Sequence, residues 1–290
     1  MKVIFVVGPT ASGKSAFALK SALQNQGVIV NCDSVQVYSH VQIGAAKPSQ
    51  EELQKVPHYL YGHVSPPTEY TAGMYNRDFF KQVKVLAEQG VENIYVVGGT
   101  GFYFQAIEKG MYDVQESSRV VNEELEQLAS TPEGYQSLIE ELQQFDPDSA
   151  SLFHPNDRYR ILRSIEILRT SGRKPSELRK EKNQEKVPFP YPLEKIGINM
   201  ERSLLHQRIH ERVKKMLKLG LIDEVVELNK FKLDNWTPLQ SVGYKEVQQY
   251  LKGEIHSFAE LEEQILISTR QLAKRQITWF KRDKNIVWKS

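Results

Sequence analysis

Eight residues near the start of the chain, Gly8-Pro9-Thr10-Ala11-Ser12-Gly13-Lys14-Ser15, have the types and spacing of a phosphate-binding loop, G-x-x-x-x-G-K-S. Glycines let the backbone turn consecutive N–H groups towards one anion, the Lys14 ammonium adds a point charge, and the Ser15 hydroxyl can ligate Mg2+. The loop follows an apolar run and precedes Ala16-Phe17-Ala18-Leu19, a first turn of helix, which is the context the motif requires. It implies a bound di- or triphosphate without choosing a reaction, because kinases, ATPases and GTPases share it.

Two further groups bear on the chemistry. Asp33 follows Val28-Ile29-Val30-Asn31-Cys32 and should sit near the phosphates, either as a carboxylate that holds Mg2+ or as a general base. Ser34-Val35-Gln36-Val37-Tyr38 alternates polar and apolar residues as a short edge strand does, yet the Gln36 amide could also read an adenine edge. Gly98-Gly99-Thr100-Gly101-Phe102-Tyr103 is a plain turn or a device that sets the Thr100 hydroxyl beside the reacting atoms. His206 and His210 stand at i, i+4, but the H-E-x-x-H pattern and a third ligand are missing, which argues against a metal pair.

The elements that must position these residues are legible as apolar runs rich in β-branched residues: Val3–Val7, Val28–Val30 and Ile94–Val97, with a strand-like return at Ile196–Met200. Helical stretches separate them. The expectation is an α/β fold, a P-loop parallel sheet flanked by helices, with ligands at the carboxyl ends of the strands. From 116 to 189 nothing reads as a strand, so an all-helical insertion is expected within a core made of 1–115 and 190–290.

The 290 residues, 40% of them apolar, suffice for such an architecture, and 38 Lys+Arg against 36 Asp+Glu leave a formal charge of only +2. Placement of the basic residues is therefore more informative than their sum. Arg158, Arg160, Arg163, Arg169, Arg173, Lys174, Arg179, Lys180, Lys182 and Lys186 crowd one stretch, interspersed with acids, and read as a solvated helical surface or an RNA-facing one. Near the end, a helical projection puts Arg270, Lys274, Arg275, Lys281 and Arg282 on one side and Leu272, Ala273, Ile277, Trp279 and Phe280 on the other. Such a helix can pack on a core and offer cations to phosphates. The single cysteine, Cys32, suits a core position in a reducing compartment; the apolar run at the start is too short for a signal peptide, and no window approaches the roughly 20 residues of a membrane span. A cytoplasmic monomer is expected.

Together these motifs resemble one family, the tRNA dimethylallyltransferases or tRNA isopentenyltransferases. The matching segments run in family order: GPTASGKS (8–15), DSVQVY (33–38), IGAAKPS (43–49), VPHYL (56–60), YTAGMYNRD (70–78), GGTGFY (98–103), HPNDRYRILRSIEI (154–167), HQRIHERV (206–213), VGYKE (242–246) and TRQLAKRQITWFKR (269–282). Ala45 stands where the family usually has threonine and Tyr59 where a second histidine is frequent. With one cysteine, the zinc-finger extension of some eukaryotic relatives is not expected.

The resemblance implies transfer of a dimethylallyl group from dimethylallyl diphosphate to N6 of adenosine 37 in tRNAs that read codons starting with U, with Mg2+ as cofactor and the anticodon arm as partner. Gly8, Thr10, Ala11, Ser12, Gly13, Lys14 and Ser15 would then cradle the departing diphosphate. Asp33 would be the base, Thr100 the positioning hydroxyl, and Arg208 with Lys14 the cations on the leaving group. Contacts to tRNA are implied for Asp33, Ser34, Val35, Gln36, Thr100, Tyr159, Arg160, Arg163, Gly243, Lys245, Lys274, Arg275, Gln276 and Arg282. Two other readings compete: a P-loop kinase of a nucleotide or small molecule, and a noncatalytic RNA-binding switch. The kinase needs an adenine-binding element and an arginine lid; the switch gives Asp33 beside Thr100 no purpose.

Overall fold

In the computed structural model, which describes residues 1–111, 119–184, 188–233 and 236–289, the sheet begins with β1 (Lys2–Val7), followed by α1 (Lys14–Gln24), β2 (Val28–Asn31), α2 (Gln50–Lys55), β3 (His58–Tyr59), α3 (Ala72–Glu88), β4 (Asn93–Val97) and α4 (Gly101–Lys109). Five helices come next: α5 (Arg119–Leu128), α6 (Pro132–Phe145), α7 (Pro147–Ala150), α8 (Arg158–Ser171) and α9 (Pro175–Gln184). The chain then returns through β5 (Leu193–Ile198), α10 (Arg202–Lys218), α11 (Leu221–Asn229), α12 (Tyr244–Leu251), α13 (Phe258–Phe280) and β6 (Val287–Lys289). The six strands are all parallel, in the order β3-β2-β4-β1-β5-β6.

Strand alternation divides the core. Val3, Phe5, Val7, Val28, Val30, Ile94 and Val96 face one side, where they join Phe79 and Leu86 of α3, Phe104 of α4 and the buried faces of α10 to α13. Ile4, Val6, Ile29, Tyr95, Val97 and Ile196 face the other and meet Ala18 and Ala22 of α1. Both faces are covered, which is why these strands read as continuous apolar runs instead of alternating ones.

The chain divides into two compact units, Met1–Glu108 with Phe189–Ser290, and Lys109–Pro188; the sequence expectation drew these limits at 116 and 189. The second unit has its own core of Leu125, Leu138, Leu142, Ile161, Leu162 and Ile165. Its buried Asp146 carboxylate accepts from the N–H groups of Ser149 (3.1 Å) and Ser176 (2.9 Å), tying α7 to the start of α9.

Two strands went unread in the sequence. β3 has two residues and β6 three, and Val287 of β6 is largely exposed, so neither carries a periodic apolar signal. The return strand also begins earlier than the expected Ile196, at Leu193, because Leu193, Glu194 and Lys195 pair with Val3, Ile4 and Phe5.

Candidate active site

Strand order brings the loops after β1, β4 and β2 side by side at the carboxyl edge of the sheet. In the loop after β1, Ala11 and Gly13 take left-handed conformations (φ 62° and 92°), the kind of backbone alternation that can turn N–H groups towards an anion, while the Ser12 N–H donates to the Pro9 carbonyl (3.2 Å). Ser12 Oγ is buried there with no hydrogen-bond partner among the described residues. A buried unpartnered hydroxyl is costly, and an anion in the loop would satisfy it.

The loop after β2 is built around Asp33. Its Oδ1 accepts from the N–H groups of Val35 (3.0 Å) and Gln36 (3.3 Å), whereas Oδ2 makes no hydrogen bond among the described residues. The segment 34–37 is therefore a turn on an aspartate cap, not the edge strand that its alternation also allowed. Beneath it, Asn31 accepts from the Asp33 N–H (3.1 Å) and donates to the Leu60 carbonyl (3.0 Å). Cys32 is fully buried, and desolvation pushes its thiol well up, so it stays neutral packing.

Thr100 joins this loop to the one after β4. Its Oγ1 accepts from the Ser34 N–H (2.9 Å) and donates to Ser34 Oγ (3.2 Å). The glycines around it are set by close approach: a Cβ on Gly98 would fall 1.8 Å from the Cys32 carbonyl oxygen, and one on Gly99 would fall 2.2 Å from Gln276 Nε2. Gln276, on α13, locks two loops together. Its carbonyl accepts from the Thr10 N–H (2.7 Å) and its amide donates to the Gly99 carbonyl (3.1 Å). The side chain expected at the tRNA surface is thus buried, with both ends of its amide engaged inside the site.

Three cations gather here. A Cβ on Gly13 would lie 3.2 Å from Arg208 Nη1, so α10 delivers Arg208 to the phosphate loop. Lys14 donates to the Pro9 carbonyl (3.2 Å), and its ammonium is pushed down to about 8, chiefly by desolvation, against the pull of Asp33 and with a further push from Arg212. Arg212 itself is lowered by desolvation and held up by Asp33. Sequence reasoning missed Arg212, although its i+4 spacing from Arg208 within His206-Gln207-Arg208-Ile209-His210-Glu211-Arg212 was a usable signal. His210 lies 3.3 Å from Glu262 of α13.

Among the described residues, no group of three His, Cys, Asp or Glu side chains could hold a metal. Mg2+ needs less, since it keeps waters and takes one or two protein oxygens plus substrate phosphates. The exposed Ser15 hydroxyl in the first turn of α1 suits that role.

The remaining residues implied for tRNA fall into distinct settings. Lys245, Lys274 and Arg275 are exposed on the core unit, Val35 packs against the main core, and Gly243 is buried with its N–H donated to Glu246 (2.7 Å). In the helical unit Tyr159 is 78% exposed, Arg160 pairs with Asp157 (3.2 Å) and Arg163 with Glu166 (2.5 Å). Most of the basic stretch is similarly paired, as in Arg158 with Glu126, Arg169 with Glu141, Arg173 with Glu181 and Lys180 with Asp148; Lys186 lies outside the described residues. The one-sided basic row on the terminal helix needs correction. α13 ends at Phe280, with Lys281 as its C-cap and Arg282 on the following turn, and Arg270 is half-buried with its Nε sealed from solvent and unpartnered among the described residues.

A family model described as IPP transferase matches residues 36–283. A protein of Bdellovibrio bacteriovorus named tRNA dimethylallyltransferase is 49% identical over 286 residues, covering 99% of this chain and 92% of its own. Another of that name, from Thermoanaerobacter, is 40% identical over 99% of this chain and 91% of its own. Among solved structures, the tRNA isopentenylpyrophosphate transferase of Staphylococcus epidermidis is 35% identical with a TM-score of 0.69, covering 99% of this chain and 92% of its own. A eukaryotic dimethylallyltransferase captured acting on tRNA gives 0.81 at 28% identity, over 99% of this chain and 73% of its own. These findings favour prenyl transfer over the kinase reading. With its P-loop sheet, its aspartate and its three converging cations, the chain belongs to the tRNA dimethylallyltransferase family of prenyltransferases.

Proposed function

We propose that this chain transfers the dimethylallyl group of dimethylallyl diphosphate to N6 of adenosine 37 in the anticodon arm of tRNAs that read codons beginning with U. The observation that carries the reading is the Asp33 carboxylate: one oxygen is fixed by two backbone amides and the other is open, beside a phosphate loop served by Lys14, Arg208 and Arg212. The adenine amine is a poor nucleophile because its lone pair is delocalised into the ring. As N6 bonds to the allylic carbon, its proton passes to Asp33 Oδ2, and the carbon–oxygen bond breaks with its electrons going to the diphosphate.

Charge grows on the leaving oxygen while no phosphoryl group moves. Lys14 and Arg208, with the N–H groups of Gly13, Lys14 and Ser15, are preorganised to take that charge. Mg2+, held at the Ser15 hydroxyl, would add positive charge to the diphosphate. Thr100 keeps Ser34 and the Asp33 turn in register, and Ser34 and Gln36 face the flipped base. The protein works as a monomer in the cytoplasm, where tRNA is available.

The test is incubation with labelled dimethylallyl diphosphate, Mg2+ and a tRNA carrying A36-A37. Label in RNA with release of diphosphate is expected. Consumption of ATP without prenyl transfer would replace this reading with that of a kinase.

A further inference from the structure

The Gln36 side chain has two donor hydrogens on its nitrogen and lone pairs on its oxygen. Both hydrogens are committed: Nε2 lies 2.9 Å from the Ala45 carbonyl oxygen and 3.1 Å from that of Ala46. A flipped amide would set its own oxygen against two carbonyl oxygens, so the network fixes the orientation. What Gln36 can offer a ligand is an acceptor alone.

The loop that supplies those carbonyls is held from below. Glu224 of α11 takes three donors, with Oε1 accepting from the Gln42 N–H (2.7 Å) and the Tyr244 hydroxyl (2.6 Å), and Oε2 from the Ile43 N–H (2.6 Å). The Tyr244 oxygen in turn accepts from the Ala45 N–H (3.1 Å). Gly44 lies flat on the Tyr244 ring: a Cβ there would fall 2.5 Å from it. Tyr244 is completely buried; desolvation first, and then Glu224, push its hydroxyl far up, which keeps the proton it donates. A continuous chain of hydrogen bonds therefore runs from Glu224 through Tyr244 and Ala45 to Gln36. It passes through the main chain of Ala45, so the departure from threonine at that position leaves it intact.

We propose that Glu224 and Tyr244 are positioning residues that lock Gln36 as an acceptor-only amide, and that the lock makes the site select a purine bearing an amine at C6 over one bearing a carbonyl. Adenine presents a donor at that position and guanine an acceptor, while N7 accepts in both. An amide free to rotate would serve either base. The inference rests on the proposed function, in which Gln36 meets the target base.

The experiment measures binding of two anticodon-arm RNAs, identical except for adenine or guanine at position 37, to the full chain and to E224Q, Y244F and Q36A. E224Q keeps the shape of Glu224 but cannot accept three donors. Y244F keeps the ring but removes the hydroxyl. The unaltered chain should prefer adenine by at least about 10-fold, and all three substitutions should bring the ratio towards one. E224Q and Y244F should lower the melting temperature, because each leaves a buried partner unsatisfied; measured well below that transition, the KM for dimethylallyl diphosphate should hold within about twofold. Such a ratio separates selection from mere folding, which would weaken both RNAs alike.

If E224Q and Y244F retain the original ratio while Q36A loses it, the lock is overturned. If Q36A also retains it, or the unaltered chain binds both RNAs equally, Gln36 does not read C6 and the proposal fails at its base contact. Either result leaves prenyl transfer to the adenine RNA to be read separately, so failure of the lock is distinguishable from failure of the proposed function.

Discussion

The Thr10 N–H donates to the Gln276 side-chain carbonyl at 2.7 Å, so the phosphate loop takes part of its shape from a helix 266 residues further along the chain. The same amide donates to Gly99, beside the Thr100 that holds the Asp33 turn. One side chain therefore couples the leaving-group site to the loop next to the base. Gln276→Glu keeps the acceptor for Thr10 but sets a carboxylate against the Gly99 carbonyl. It should lower stability by about 1–3 kcal/mol in urea titration. It should also raise the KM for dimethylallyl diphosphate more than that for tRNA, and equal effects on both would mean the bridge has no special part in donor binding.

Asp33→Ala removes the open carboxylate oxygen and should reduce transfer at least ~100-fold while tRNA affinity stays within a few-fold. Asp33→Asn tests the same oxygen more sharply. Its side-chain carbonyl can still cap Val35 and Gln36, so the turn survives, but the amide offers no place for a proton. Single-turnover transfer with prebound tRNA reads the chemical step directly. Near-normal rates in Asp33→Asn would remove Asp33 from the role of base.

Lys14 is pushed down to about 8, by desolvation foremost, with Asp33 opposing and Arg212 adding to the shift. A bound diphosphate favours the charged form and raises that value again. Binding thus takes up a proton above about pH 8 and none well below it. Donor affinity should be flat at lower pH and fall by up to about tenfold per pH unit above the break. Lys14→Arg, which stays charged, should abolish the break. Arg212→Ala, by removing a repelling charge, should move it to higher pH, and a break that stays put would deny that Arg212 acts on Lys14.

Arg208 reaches Gly13 from α10, and its truncation should cost more in kcat than in donor KM, because charge on the diphosphate grows only as the carbon departs. A loss of about 100- to 1000-fold is the scale for one preorganised donor. Should Arg208→Ala raise KM with kcat unchanged, Arg208 binds ground state and transition state alike and lends nothing to catalysis.

The strands and the residues at their ends were legible because β1, β2 and β4 are apolar runs that end in glycine or polar residues, and strand order then brings those ends together. Other features have no local signature. Gln276 looks like any polar residue of a basic helix until Thr10 and Gly99 are found on it. β3 and β6 are too short to show a period. The end of α13 carries no glycine or proline; there the helix gives way to turns in which Arg282 and Asp283 donate to the carbonyls of Trp279 and Phe280. The helical projection runs on through Lys281, the C-cap, and Arg282, which lie in that closing turn.

That correction leaves Lys274 and Arg275 as the exposed cations of α13, adjacent on the helix and unpaired in any ion pair among the described residues. By contrast, many arginines of the helical unit are paired with acids across exposed surface. Such pairs contribute little, about 0–1 kcal/mol, so phosphates can displace the acids at small cost. RNA affinity should therefore fall steeply with salt, each phosphate contact adding about 0.7–0.9 to the slope of log K against log salt. Lys274→Ala with Arg275→Ala should weaken all tRNAs to a similar degree and flatten that slope by about 1–2, while transfer at saturating RNA changes little. A slope equal to that of the unaltered chain would show that these two cations do not meet phosphate. The RNA grip would then rest on other residues of the core unit or on the helical unit, where charge reversal of Arg160, and then of Arg163, is the next measurement.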